Sequence, residues 1–464
     1  MSILDTKLEA INKIYFIGIG GSGVSAAARI LQKEGKEVWG SDISGGEIVE
    51  ELIGEGIKIF IGQKKENIVS DIDLVVYSVA VPQDNPERQT AEKLGLCQIT
   101  YPQLLGLLMR DKYGIGVSGT NGKTTTTAML AKIFLAAGED PTVVVGSKVD
   151  FLAGNSRVGQ GKYFIFESDE YRRAFDNYFP KIALVTYITA DHLDYFKDLE
   201  EIKAAFGDYL NRLPRAGLAV INGDDDNSLA AAKNCQAKIV SFGLDRPANY
   251  LAQEIKTAGG KQTFEVRERG GEPEKITINL PAKYNIYNAL GAIAVARICG
   301  LSWPVIKGAL ADFTGTWRRW QKIGKIGKTE IIVDYAHTPD AVEKTIAAAK
   351  GYYAGKKVLI VFQPHQYSRT KELFLPFSKS FWQADWAIIT DIFYVKGREK
   401  PEDFAVSSQK LAEAIITNGS RAEYGGDLAQ TEELIRNKAG DFDAVLMLGA
   451  GNIYEAAKRL SENN

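Results

Sequence analysis

The strand-like run Ile115 to Ser118 leads directly into Gly119-Thr120-Asn121-Gly122-Lys123-Thr124, and the helix-period stretch Thr124 to Ala137 follows. A glycine turn ending in Gly-Lys-Thr between a strand and a helix has little packing purpose. It suits a phosphate, with backbone amides around the anion, Lys123 on the terminal phosphates and Thr124 on Mg²⁺. Such a turn belongs to a parallel α/β sheet, which restricts the fold class at once. The spacing departs from the strict phosphate-loop pattern: Val117 stands five positions before Gly122, and the nearest glycines are Gly116 and Gly119.

A second glycine turn lies far upstream. Ile14 to Ile19 reads as a strand, and Gly18-Ile19-Gly20-Gly21-Ser22-Gly23 leads into the helix-period stretch Val24 to Glu34 and a strand at Glu37 to Gly40. Asp42 stands where a ribose-binding carboxylate would follow in a dinucleotide fold. The physical content is narrower: glycines let a helix amino terminus approach a diphosphate, as in UDP, NAD or FAD. The alternative is a turn that only packs strand on helix. Two loops on separate domains suggest two phosphorylated ligands meeting at an interdomain cleft.

The chain has 464 residues, which at about 150 per domain argues for about three domains. Further strand-like runs at Ile57 to Ile61 and Leu74 to Ser78 fill a first domain, residues 1–108. Tyr163 to Glu167, Ile182 to Tyr187 and Leu218 to Ile221 belong to a second, residues 109–323, with β-hairpins expected over Ala248 to Leu280 around Gly259-Gly260 and Gly270-Gly271 and a helix at Tyr287 to Cys299. A basic link between Gly324 and Gly327 opens a third, residues 324–464, with strands at Glu330 to Asp334, Val358 to Gln363, Trp386 to Thr390 and Ala444 to Leu448. The expected architecture is three α/β domains in line. A net charge of −2 offers no field for nucleic acid or an anionic membrane. Cys97, Cys235 and Cys299 are dispersed, and neither a leader nor a membrane-length apolar run is visible, so a cytoplasmic protein is expected.

Other residues could carry chemistry. Glu167 ends a strand and is followed by Ser168-Asp169-Glu170, carboxylates at the sheet edge where Mg²⁺ would sit. All three histidines stand in short polar runs: His192, His337 in Asp334-Tyr335-Ala336-His337-Thr338-Pro339, and His365 with Arg369 nearby. Arg318 and Arg319 close the expected second domain and suit phosphate or carboxylate. Asn285 and Asn288 read either as helix caps or as groups facing a base edge.

Together and in this order, these motifs resemble the Mur ligase family, ATP-dependent ligases of peptidoglycan precursor synthesis. The resemblance runs through Gly18 to Gly23, Gly119 to Thr124, Glu167 to Glu170, Asp191-His192, Asn285 to Asn288, Phe313 to Arg319, Asp334 to Pro339, Phe362 to Thr370 and Leu448 to Ile453. It implies a Rossmann-like UDP-binding domain, a central phosphate-loop ATPase domain and a carboxyl-terminal Rossmann-like domain for the amino acid. Gly18, Gly20, Gly21, Ser22, Gly23, Asp42 and Ser78 would hold the UDP-sugar. Gly119, Thr120, Asn121, Gly122, Lys123, Thr124, Thr125, Asn285, Asn288, Arg319, Asp334 and His337 would hold ATP. Thr124, Glu167 and His192 would serve the metal, and Lys123, Glu167, His192, His365 and Arg369 the reaction.

Within the family the resemblance is to the alanine-adding branch, which joins L-alanine to UDP-N-acetylmuramate with ATP and Mg²⁺. Asn121, Tyr284, Thr338 and Gln366 depart from that branch. Asp84-Asn85-Pro86 is similar to a diaminopimelate-reading motif of a sister enzyme but lies in the first domain, and is not given that role. A tripeptide acceptor is the alternative within the family, and a nicotinamide-dependent oxidoreductase built on the first loop is the alternative outside it. A monomer or weak dimer is expected.

Overall fold

Long buried strands need apolar side chains on both faces, and the chain supplies three sets of them. In a computed structural model, which describes residues 8–192, 195–258, 260–395 and 399–462, each set forms its own sheet. Gly259 of the expected first hairpin turn lies outside the described residues.

The first sheet is wholly parallel. It contains β1 (Lys13–Ile17), β2 (Glu37–Asp42), β3 (Lys58–Ile61), β4 (Leu74–Tyr77) and β5 (Cys97–Thr100), in the order β3-β2-β1-β4-β5. The order reverses between β1 and β4, and ligands bind at such a switch point in open α/β sheets. Gly18 to Gly23 follow β1 and Ser78 follows β4, so both lie there.

The second sheet contains β6 (Tyr113–Ser118), β7 (Thr142–Val149), β8 (Gly154–Arg157), β9 (Tyr163–Glu167), β10 (Ile182–Val185), β11 (Leu218–Asn222), β12 (Lys238–Gly243), β13 (Tyr250–Ala258), β14 (Lys261–Glu268) and β15 (Pro273–Ile278). Its order is β15-β14-β13-β12-β11-β10-β6-β9-β7-β8. The strand before the phosphate-type loop, β6, lies between β10 and β9 and is parallel to both. The third sheet runs β16-β17-β21-β18-β19-β20, from β16 (Gln321–Ile326), β17 (Thr329–Asp334), β18 (Val358–Phe362), β19 (Trp386–Thr390), β20 (Ala422–Gly426) and β21 (Ala444–Leu448).

The expected boundary at residues 323 and 324 falls inside β16, which pairs antiparallel with β17. The glycine-bracketed basic link is therefore the strand and turn of a hairpin: Gly324 sits at a register shift and Gly327 turns with φ +55°. By contact the chain forms two compact units. One runs through Ile255 and adds residues 263–278 and 286–313; the other holds residues 256–262, 279–285 and 314 onward. Arg318 and Arg319 thus belong with the third sheet and do not close the second domain. Among the described residues no helix is long and apolar enough to cross a membrane.

Asp84-Asn85-Pro86 is the start of a helix. Asn85 Oδ1 accepts from the amides of Glu87 and Arg88, and Pro86 takes the first helical position of Pro86–Lys93. This cap carries Glu87 into the first domain's interior. There Glu87 accepts from Tyr15 Oη (2.9 Å), Ser41 Oγ (2.5 Å), Asn67 Nδ2 (2.6 Å) and the Lys64 amide (3.3 Å). Burial raises the carboxyl above its ordinary value although these bonds pull it down. The folded form then holds the proton more tightly than the unfolded one, so stability falls as pH rises from the unfolded value to the raised one. Glu87→Gln keeps an acceptor for Tyr15, Asn67 and Lys64, and Ser41 can reverse its hydroxyl. Thermal unfolding between about pH 4 and pH 8 should show Glu87→Gln without that fall and within about 1 kcal/mol of the parent at neutral pH. Glu87→Ala, which strands the buried donors, should cost about 3 kcal/mol or more, each orphaned group being worth about 1–3 kcal/mol.

Candidate active site

The glycine turn after β6 is held from the side by residues distant in sequence. The Thr120 amide donates to the Tyr187 carbonyl at 2.7 Å, and Thr120 Oγ1 both donates to the Thr189 carbonyl and accepts from the Thr189 amide. Thr186 Oγ1 reaches the Asn121 carbonyl at 2.5 Å. Gly119 has φ +127° and Gly122 φ +90°, and a Cβ on them would collide with Thr186 Oγ1 and Asn288 Oδ1 respectively. The left-handed backbone of Gly122 starts the helix Lys123–Ala136, whose first residues Thr124 and Thr125 are buried.

Lys123 points back across this turn. Its Nζ donates to the Gly119 carbonyl (2.6 Å) and to both oxygens of Glu170 (2.8 and 3.0 Å), with Asp169 at 3.8 Å. Burial alone would lower the ammonium's pKa; the charges of Glu170 and Asp169 outweigh it and hold it above the ordinary lysine value. The lysine therefore stays charged.

Two acidic sites flank it. Thr124 Oγ1 donates to Glu167 at 3.2 Å, and the Gly146 amide donates to the same carboxylate at 2.5 Å. Oxygens of Asp169 and Glu170 and a ring nitrogen of His192 lie within 4.8 Å of one another, a hard donor set that fits a divalent cation. His192 is set by a left-handed backbone, φ +53°, and its ring lies 4.6 Å from that of Tyr171. Of the residues expected at the metal, Thr124 and Glu167 are thus brought together, and His192 is grouped with Asp169 and Glu170. The sequence reading placed the carboxylates of Glu167 to Glu170 at the sheet edge but assigned only Glu167 to the metal. The signal for Asp169 and Glu170 was the run of carboxylates at a strand end.

The residues expected at the diphosphate also assemble. The Gly18 amide donates to the Ser41 carbonyl, Gly20 to Asp42 Oδ2 (2.8 Å), and the Ser78 amide to the Ile17 carbonyl. Gly21 caps the helix Ser22–Lys33, and Gly23 packs on Tyr101. Ser22 Oγ donates to the Gly146 carbonyl at 2.7 Å, so Gly146 links the diphosphate-type turn to Glu167, the partner of Thr124. Sequence reasoning did not single out Gly146 or Thr186.

Asn285 and Asn288 do not precede their helix as caps, because Lys283–Ile298 begins before them. Asn285 Nδ2 donates to the Pro281 carbonyl at 2.7 Å, whereas Asn288 lies against Gly122.

The second unit gathers its own group. Asp334 accepts from the amides of Trp320 (2.8 Å) and Ala336 (2.9 Å), and burial pushes its carboxyl up despite those bonds and the nearby Arg319. His337 Nδ1 lies 2.9 Å from the Tyr335 carbonyl and its ring 6.2 Å from that of His365. His365 Nδ1 lies 3.4 Å from Arg369 Nη1 and stacks on Phe393. Arg319 lies over the Tyr335 ring at 4.8 Å.

Comparison with known proteins agrees with this organisation. The Mur ligase family catalytic domain matches residues 13–113, the Mur ligase middle domain residues 117–296, and the Mur ligase glutamate ligase domain residues 318–451. The chain is 39% identical to a UDP-N-acetylmuramate–L-alanine ligase of Caldanaerobacter subterraneus, over 99% of this chain and 100% of that one. It is 39% identical to one of Clostridium acetobutylicum, over 97% and 98%. The structure of a UDP-N-acetylmuramate-alanine ligase from Thermotoga maritima superposes with TM-score 0.82 at 28% identity, covering 97% of this chain and 98% of that one.

The loop geometry yields a direct test. Gly122→Ala places a Cβ at positive φ and against Asn288, a strain of about 1–3 kcal/mol. The expected outcome is a lower unfolding midpoint together with loss of the rise that Mg²⁺ and ATP give the parent. A variant that keeps both would show that the loop does not depend on this conformation.

Proposed function

Since the chain belongs to the Mur ligase family, we propose that it joins L-alanine to the lactyl carboxylate of UDP-N-acetylmuramate, with ATP and Mg²⁺, in peptidoglycan precursor synthesis. The observation that carries this reading is the adjacency of the two loops. Ser22 of the diphosphate-type turn and Glu167 beside Thr124 bond to the carbonyl and amide of one residue, Gly146. An oxidoreductase would need the first loop and leave the second without a task.

In this reading Gly18, Gly20, Gly21, Ser22, Gly23, Asp42 and Ser78 bind UDP, and residues 119–125 with Asn288 bind ATP. Asn285, Arg319, Asp334 and His337 complete the ATP contacts, and His365 and Arg369 serve the amino acid and the acceptor carboxylate. The metal would be held by Thr124 and Glu167 and by the neighbouring group of His192, Asp169 and Glu170. When bound, Mg²⁺ supplies positive charge against the phosphates.

The acceptor carboxylate oxygen attacks the γ-phosphorus, ADP leaves, and an acyl phosphate forms. Lys123, kept charged by its acidic neighbours, stabilises the charge moving to the phosphate oxygens. The alanine amine then attacks the acyl carbon, inorganic phosphate departs, and the amine gives up a proton. Water must be kept from the acyl phosphate, which it would hydrolyse. The enzyme is read as cytoplasmic, acting on small molecules as a monomer or weak dimer.

Phosphate release from ATP and Mg²⁺ should require both UDP-N-acetylmuramate and L-alanine, with a UDP-muramyl-alanine product by mass. Lys123→Ala should lower kcat by about 10²–10³-fold. Release that needs a tripeptide in place of alanine would move the protein to the tripeptide-adding activity, and release with no acceptor would end the ligase reading.

A further inference from the structure

Tyr101 stands between the two loops. It opens the helix Tyr101–Leu108, whose start is fixed by a capping box of Thr100 and Gln103, so its ring is carried on a defined turn. The ring packs against the first domain's core and also against the second's, joining the two clusters. Its phenol closes on the diphosphate-type turn: a Cβ on Gly23 would lie 2.7 Å from both Tyr101 Oη and Cζ. The charges of the Glu167 and Asp169 carboxylates also reach this phenol. The phenol hydroxyl is a hydrogen-bond donor.

The acceptor proposed above must span this place. Its diphosphate sits at Gly18 to Gly23, and its carboxylate has to reach Lys123 and Thr124 past Glu167, Asp169 and Glu170. A hydroxyl on that path can donate to the carboxylate and orient it without adding charge beside the metal-binding carboxylates. We propose that Tyr101 Oη is a substrate-binding donor that places the acid end of the acceptor, discriminating the sugar acid from the bare nucleotide. This rests on the reading of the acceptor as a UDP-linked sugar acid.

The test uses the full-length protein and Tyr101→Phe, which removes only the hydroxyl. Calorimetry with UDP and with UDP-N-acetylmuramate is combined with steady-state phosphate release. Binding of UDP should be unchanged, which also reports an intact Gly23 turn. Binding of UDP-N-acetylmuramate, and kcat/KM for it, should fall about tenfold or more, the effect of one hydrogen bond to a charged group. The KM values for ATP and alanine should move by less than about twofold. Unchanged kcat/KM would overturn the proposal, and so would equal weakening of UDP and UDP-N-acetylmuramate, which marks a packing role. A parent protein that binds UDP-N-acetylmuramate but releases no phosphate would overturn the ligase reading alone, since the Tyr101 effect is still read by binding. A parent that binds it no better than UDP would overturn both.

Discussion

The peptide groups of Gly146 fix where the two phosphate-type loops stand relative to each other. Its carbonyl accepts from Ser22 Oγ and its amide donates to Glu167, which in turn accepts from Thr124 Oγ1. The residue must be small, since a Cβ there would lie 2.8 Å from Glu167 Oε2. Around this bridge polar side chains of β7 and β8 tie the second sheet to the first domain's helices Ser22–Lys33 and Glu47–Gly54. Asn155 accepts from Arg29 Nη1 and donates to the Ser22 carbonyl, Arg29 pairs with Glu55 and Glu51, and Lys148 pairs with Glu47 and Glu51. Arg29 is buried, so removing one partner would leave a desolvated charge; the network specifies a geometry more than it adds stability. The two turns proposed to bind phosphorylated ligands are thereby held beside each other by contacts of the protein itself.

How far the fold was legible follows from where each strand lies. Interior strands such as β1, β10, β18 and β21 are buried along their whole length and read as unbroken apolar runs. Of the strands not named from the sequence, β5, β8, β16 and β20 lie at sheet edges, whereas β7 and β12 are interior. An edge strand needs one ladder and one covered face, so Cys97–Thr100 or Gly154–Arg157 can be short and polar. The boundary placed at residues 323 and 324 erred for the same reason: β16 is half-buried, and its glycines imitate a linker.

The site divides in a parallel way. Gly18 to Gly23 and Gly119 to Thr124 were readable because their chemistry is local: glycine conformation, a helix start and a cation within a few residues. Thr186 and Gly146 were not, since what they do depends on strands that meet only in the sheet. Asn285 and Asn288 show how one pattern covers two outcomes. Spaced one turn apart, they look equivalent, yet the Nδ2 of one donates to the Pro281 carbonyl and the other packs on Gly122.

The arginine pair carries this reasoning to the second unit. Sequence could not rank Arg318 against Arg319, since adjacent guanidinium groups have the same chemistry. Arg318 is buried with φ +57°; its Nη2 donates to the Gly449 carbonyl, and the rings of Trp317, Tyr335 and Tyr454 surround its guanidinium. Burial, first of all, lowers its pKa. The Gly449 amide donates to the Asp334 carbonyl, while the Asp334 carboxylate holds the Trp320 amide, so Arg318 fastens the ends of β17 and β21 to the segment that bears Arg319. Arg319 is half-buried on the face of Tyr335. The phosphate role proposed above therefore falls to Arg319, which keeps a partly open face, while Arg318, buried in an aromatic cage, supplies a fixed base at the cost of its own access.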